Sequence, residues 1–159
     1  MSIDTIRATA LALRKKYKSA SPEEICRRLG VAIRYCPLDD LKGLSVRYFG
    51  LNNIIINNGL KEEELPPLFA HELGHVLLHI PDGGAPCYRD GKMFVDRDRC
   101  EYEANLFAAE LLLGDREVLE LMQEGRTFSQ IAALLCVPPE LLELKLRVLA
   151  HCGRLPAIR

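Results

Sequence analysis

Apolar residues return every three or four positions at the start of the chain. Ile3, Ile6, Ala10, Leu13 and Tyr17 share one stripe, which predicts an amphipathic helix over about residues 3–18. Its basic end (Arg14, Lys15, Lys16, Lys18) suits the negative pole of a helix and reads as a solvated terminus. Ser21-Pro22-Glu23-Glu24 then gives a helix start, with Ser21 as N-cap, Pro22 in the first position and Glu24 closing a capping box. That short helix carries Ile25, Cys26 and Leu29 and stops at Gly30. Three short apolar runs follow, at residues 31–36, 44–49 and 54–56. They are punctuated by Pro37, by a turn at residues 50–53 and by Asn57-Asn58-Gly59, and they predict three strands. A small, mostly antiparallel sheet of this kind needs a helix over one face.

Pro66-Pro67, after the charged approach Lys61-Glu62-Glu63-Glu64, opens a helix that can provide it. Phe69, Leu73, Val76, Leu77 and Ile80 form its apolar stripe, while Leu68, His71, Glu72, His75 and His79 fall opposite. Residues 81–97 are rich in Gly, Pro and Asp, and Asp90-Gly91 carries a hairpin signal. A connection of that length serves equally as a lid, a substrate wall or a plain surface hairpin. Residues 98–113 predict a helix that is apolar on nearly every side from Ala104 onward, hence central and buried. Asp115 is placed to cap a following helix that runs through Met122 and breaks at Gly125. Thr127-Phe128-Ser129-Gln130 starts another, and residues 131–135 and 139–149 form the last two helices. The fold class expected is α+β: a core over residues 1–114 and a helical C-terminal part over 115–159, packed as one unit.

Composition narrows the function classes. A net charge of −1 in 159 residues gives no broad field to attract nucleic acid or a membrane surface. No apolar run approaches the ~20 residues that span a bilayer. The first residues lack a signal-peptide core, so a cytoplasmic protein is expected. Six cysteines are scattered without a C-x-x-C pair, and most of them read as small buried apolar residues rather than a disulfide framework. Cys87 and Cys100 flank the candidate site, where a soft second metal or a redox switch is the lesser alternative.

The chemistry is concentrated in His71-Glu72-Leu73-Gly74-His75. Residues four apart on a helix lie one above the other, so two imidazoles converge where Zn²⁺ can take both, and Glu72 stands beside them as a base. A third protein ligand is required. His79 lies two turns beyond His71, roughly 12 Å along the axis at ~1.5 Å per residue, too far for one ion. It is expected behind a ligand or on the substrate side. In the buried helix, Glu101 and Glu103 differ by roughly 200° around the axis, so only one of them faces the metal. Glu101 is preferred because Asn105, one turn on, can orient the site; Glu103 stays the alternative. The P-C-x-x-C half of a zinc deaminase signature is missing.

His71-Glu-Leu-Gly-His75-Val-Leu-Leu-His79, followed by Glu101-Tyr-Glu-Ala-Asn105-Leu-Phe-Ala-Ala-Glu-Leu-Leu-Leu, resembles the ImmA/IrrE metallopeptidase family. Similarity extends over roughly residues 20–150, including Ile25-Cys-Arg-Arg-Leu-Gly30-Val, Pro37-Leu38 and Ile54-Ile-Ile-Asn57. Leu113-Gly114-Asp115 departs from it, since the family usually has Met-Pro there. The resemblance implies a gluzincin-like core with zinc on His71, His75 and Glu101, and Glu72 as general base. It also implies a narrow substrate, commonly a helix-turn-helix repressor of a mobile element or stress response. Peptide hydrolysis then needs an oxyanion donor, for which His79 or Tyr88 is expected. The rival is a regulatory module that binds a repressor or DNA through the last two helices, which are spaced like a helix-turn-helix. The second of these opens with Pro138, Pro139, Glu140, Leu141, Leu142 and Glu143, lacking an arginine fork, and Lys145 and Arg147 come late. That pattern disfavours direct DNA reading.

Overall fold

The computed structural model of the protein describes residues 1–79 and 95–155, the side chains of 95–98 excepted. The predicted hairpin after His79, with Cys87 and Tyr88, lies outside the described residues. Helix α1 (Ile3–Lys16) is capped by Ser2, whose side chain accepts from the Thr5 amide, and it buries Ile6 and Ala10. Helix α2 (Pro22–Arg28) starts at Ser21, which accepts from the Glu24 amide at 3.2 Å. The reciprocal half of the expected capping box gives way to an ion pair of Glu24 with Arg28, one turn on. Gly30 ends the helix at φ +76, a conformation open to glycine without strain.

Strands β1 (Ala32–Cys36), β2 (Gly43–Tyr48) and β3 (Leu51–Asn57) form one sheet in the order β1-β3-β2. β2 and β3 pair antiparallel, but β1 and β3 pair parallel, with Ile33 opposite Ile54 and Tyr35 opposite Ile56. The sheet is therefore mixed rather than mostly antiparallel. The physical reason is the apolar run Ile54-Ile55-Ile56, which takes the central position and separates β1 from β2. The turn also shifts. Tyr48 pairs with Leu51, which leaves a two-residue loop, and its two residues Phe49 and Gly50 have φ of 47° and 74°. Positive φ at both positions matches the twist of the strands, so residues 51–53 join β3 instead of forming the expected turn.

A single 3₁₀ turn (Glu62–Glu64) leads into α3 (Leu65–Leu78), which covers the sheet with Phe69, Ala70, Leu73 and Val76 inward. Helix α4 (Val95–Leu112) begins three residues earlier than expected and is central, packed on α1, on α3 and on the last helix. Ala104, Phe107, Ala108 and Ala109 are fully buried. Gly74 lets α3 and α4 touch: a Cβ there would lie 3.1 Å from the Ala104 Cα and carbonyl oxygen. Helices α5 (Asp115–Gln123), α6 (Phe128–Leu134) and α7 (Pro139–His151) complete the described chain, and Thr127 and Gln130 form the expected capping box. The main core gathers residues from α1 to α7, and a second cluster joins Leu113, Val118, Ile131, Ala132, Leu142 and Leu149. Helix α7 serves both, with Leu141 and Val148 in the first and Leu142 and Leu149 in the second.

Between these clusters lies a set of charges. Glu110 and Lys145 are fully buried and joined at 2.7 Å. Arg7 meets Glu110 and Asp115, each at 2.6 Å, and Lys145 also reaches Asp115 at 2.6 Å. Asp115 is thus a hub for cations, including Arg154, and Gly114 takes the N-cap position expected of it. No helix of the described residues is long and apolar enough to cross a membrane.

Candidate metal centre

His71 and His75 project from the same face of α3, with their Nε2 atoms 3.0 Å apart. Glu101 reaches them from α4, its Oε2 3.3 Å from His71 Nε2 and its Oε1 3.5 Å from His75 Nε2. Among the described residues these three are the group whose ligand atoms lie close enough together to hold one metal ion. A tetrahedron with ~2.05 Å bonds has edges of about 3.3 Å; the separation of the two nitrogens, and that of each nitrogen from a different oxygen of Glu101, are of that size. The outer nitrogens agree. His71 Nδ1 lies 2.8 Å from Asn105 Oδ1 and His75 Nδ1 lies 3.1 Å from His79 Nδ1. With those Nδ1 atoms donating, both Nε2 lone pairs and the Glu101 carboxylate face one another, an arrangement that a cation stabilises.

The electrostatics show the same bias. With the protons on Nε2 instead, hydrogen bonds from His71 and His75 hold the Glu101 carboxyl well below the usual carboxylate range. Burial opposes charge on His71, but its contacts with Glu101, Glu72 and Asn105 raise its pKa on balance. Glu72 is 5% exposed, and burial pushes its carboxyl up against the lowering effect of His71, His75 and a hydrogen bond with Ser45. It lies beside the two imidazoles without sharing their ligand geometry.

His71, Glu72, His75, Glu101 and Asn105 thus converge as their spacing suggests. Glu103 points the other way around α4, as a helical phase of roughly 200° requires. It meets His79 Nε2 at 3.1 Å and Arg99 at 2.9 Å, and also the amino group of Met1. Burial alone would raise its carboxyl, but these three partners outweigh it and lower the pKa to about 2. His79 is therefore turned toward His75 and Glu103. Burial moves its own pKa down, with the Glu103 contact acting against that shift. Tyr88 lies outside the described residues. Ser45 had no signal in the sequence, because only the register of β2 against α3 brings it to Glu72. Gly74 had one, a glycine inside an otherwise apolar and polar-faced helix, where close approach of another backbone is the usual reason.

Comparison with known proteins bears on this geometry. The chain is 35% identical to "Uncharacterized immunity region protein 2" of Bacillus phage phi105 over 142 residues, 88% of each chain. It is 36% identical over 95 residues to "Metallopeptidase ImmA" of Bacillus subtilis (strain 168), covering 58% of this chain and 54% of that one. The model of the peptidase M78 family, described as the IrrE N-terminal-like domain, matches residues 26–147, which span α3, α4 and every residue of the site. With more than half of its length matched, the chain belongs to this metallopeptidase family.

Proposed function

We propose that the protein is a zinc-dependent endopeptidase acting on a narrow protein substrate, a helix-turn-helix repressor of a mobile element or stress response. The observation that carries this is the convergence of His71 Nε2, His75 Nε2 and the two carboxylate oxygens of Glu101, at separations of 3.0, 3.3 and 3.5 Å, beside a buried glutamate. His71, His75 and Glu101 would hold the ion, and their two nitrogens and one oxygen with a position left open suit zinc. Bound there, zinc supplies a Lewis acid that polarises a carbonyl and acidifies a water. Glu72 takes the proton of the attacking water and returns it to the leaving amine. Its burial keeps the carboxylate a stronger base than a solvated one. Ser45 orients that carboxylate from β2, and Asn105 fixes the ring of His71.

Substrate class rests on two supports. β2 is an edge strand among the described residues, and an edge offers backbone groups to an extended segment of another protein. The name of the phage relative places that protein in an immunity region, a setting suited to a repressor substrate. The alternative of DNA reading loses a residue it needs. Lys145, one of the two cations of α7 proposed for it, has 0% of its side chain exposed and is held by Glu110 and Asp115. Within the C-terminal part, the described residues 115–155 are better taken as a helical cap that packs with the core as one unit.

The test is metal content and turnover together. The purified chain is expected to carry about one zinc, lost in Glu101→Gln and kept in Glu72→Gln. The zinc-loaded protein should cut the repressor encoded beside it within one exposed segment, seen as two fragments by mass spectrometry. A chain without zinc sinks the metal assignment, and an intact repressor sinks the substrate assignment alone.

A further inference from the structure

We infer that Glu103 and His79 form a positioning relay that fixes the tautomer of His75, so that the two histidine ligands are backed unequally. The inference rests on the proposed zinc site. A histidine that gives Nε2 to a metal must carry its proton on Nδ1. For His71 that proton goes to the neutral amide oxygen of Asn105, at 2.8 Å. For His75 the partner 3.1 Å away is Nδ1 of a second imidazole, which must then be an acceptor. A neutral His79 with a bare Nδ1 carries its own proton on Nε2, and Glu103 Oε2 lies 3.1 Å from that atom. Each hydrogen bond thus dictates the next. The N–H of His75 donates to His79 and the N–H of His79 donates to Glu103; with zinc on His75 Nε2, no second arrangement satisfies both contacts.

The relay is shielded and anchored. The side chains of His79 and Glu103 are 6% and 8% exposed. Glu103 Oε1 is held from the far side by Arg99 and by the amino group of Met1, which leaves Oε2 to His79. His79 lies one turn beyond His75 on α3, with its amide on the His75 carbonyl at 3.0 Å, so the two rings keep their register. A carboxylate at the end of such a chain makes His75 the more electron-rich of the two ligands, through an intervening imidazole rather than by direct contact. Glu103, the alternative third ligand by sequence, is here assigned to the ion's surroundings.

Two measurements decide it. Long-range proton–nitrogen NMR of the zinc-loaded, unaltered protein should show His79 protonated on Nε2 and bare on Nδ1. Zinc affinity, read by competition with a chromophoric chelator, should fall about 10-fold or more in Glu103→Gln and in His79→Phe, the usual cost of losing such a partner. Glu103→Asp, which keeps the charge, should recover part of that loss. An Nδ1-protonated His79, or unchanged zinc affinity in Glu103→Gln, overturns the relay and leaves the zinc site standing. A wild-type chain that takes up no zinc overturns both. The NMR arm needs no substitution, so it decides even where a variant folds poorly.

Discussion

Glu72 has neighbours of opposite effect on its carboxyl. Burial and Glu101 push its pKa up, while His71, His75 and Ser45 pull it down, and the balance is upward. Replacing it with glutamine removes the proton acceptor but not the shape, so Glu72→Gln should keep its zinc. Its turnover of a cleavable peptide should fall by about 10²–10⁴, the usual worth of a positioned general base. Equal loss of zinc and activity would make Glu72 a structural residue instead. Ser45→Ala separates the same roles more gently: turnover should drop by less than in Glu72→Gln, with zinc affinity unchanged. The residues proposed for this chemistry were legible because helical spacing is a strong constraint. His71, Glu72 and His75 follow from an i, i+4 repeat; the opposite phases of Glu101 and Glu103 on α4 say that only one of them faces the site, and Asn105, one turn on, favours Glu101. The partnership of Ser45 with Glu72 and of Glu103 with His79 was not legible, since each depends on how far one element slides along another.

At the scale of elements, two glycine-linked contacts set the geometry. Gly74 lies where a Cβ would meet the Ala104 backbone at 3.1 Å and the Phe107 ring at 3.2 Å. Alanine gains about 1 kcal/mol of helix propensity over glycine. The backbone of a buried helix cannot yield locally, and overpacking costs about 1–3 kcal/mol. Gly74→Ala should therefore be less stable by about 1 kcal/mol in urea unfolding and should bind zinc more weakly, because Glu101 moves away with α4. A more stable variant with unchanged affinity would show that α4 gives way freely. The β2–β3 hairpin predicts the opposite sign. Phe49 holds φ +47 and is 86% exposed, so its ring repays little of the strain. A left-handed conformation costs a bulky residue about 1–2 kcal/mol, and the exposed Tyr48 contact returns about 0.5–1. Phe49→Asn should raise Tm by a degree or two, and a fall would mean that the aromatic pair outweighs the strain. Existence and type of these elements were readable from periodicity. The parallel pairing of β1 was not, because nothing local to residues 32–36 says whether β2 or β3 becomes its neighbour.

Across the whole molecule, the charges between the two apolar clusters tie α1, α4, α5 and α7 together. The sequence shows ordinary polar positions at Arg7, Glu110, Asp115 and Lys145; only the meeting of helices distant along the chain makes them one network. Burial raises the carboxyl of Asp115, but hydrogen bonds from Arg7 and Lys145 prevail and hold it well below its ordinary range. A depressed carboxyl contributes stability that is complete above its unfolded pKa of ~3.9 and is lost as pH falls toward the folded value. The urea midpoint should therefore drop on acidification below about pH 4. In Asp115→Asn part of that drop should vanish, alongside a loss of about 3 kcal/mol at neutral pH from leaving buried cations short of a partner. An unaltered acid slope would remove Asp115 from the balance.

Lys145 gives this network an audible signal. Lys15, Lys16, Lys18, Lys42 and Lys61 are open to solvent, whereas the Lys145 amine is wholly enclosed. An acylating reagent meets those five at once and Lys145 only in molecules whose α7 has momentarily left α4. Under labelling that outpaces reclosure, the slow appearance of acyl-Lys145 in a peptide digest clocks the breathing of the C-terminal helices against the core, with no probe attached and no residue changed.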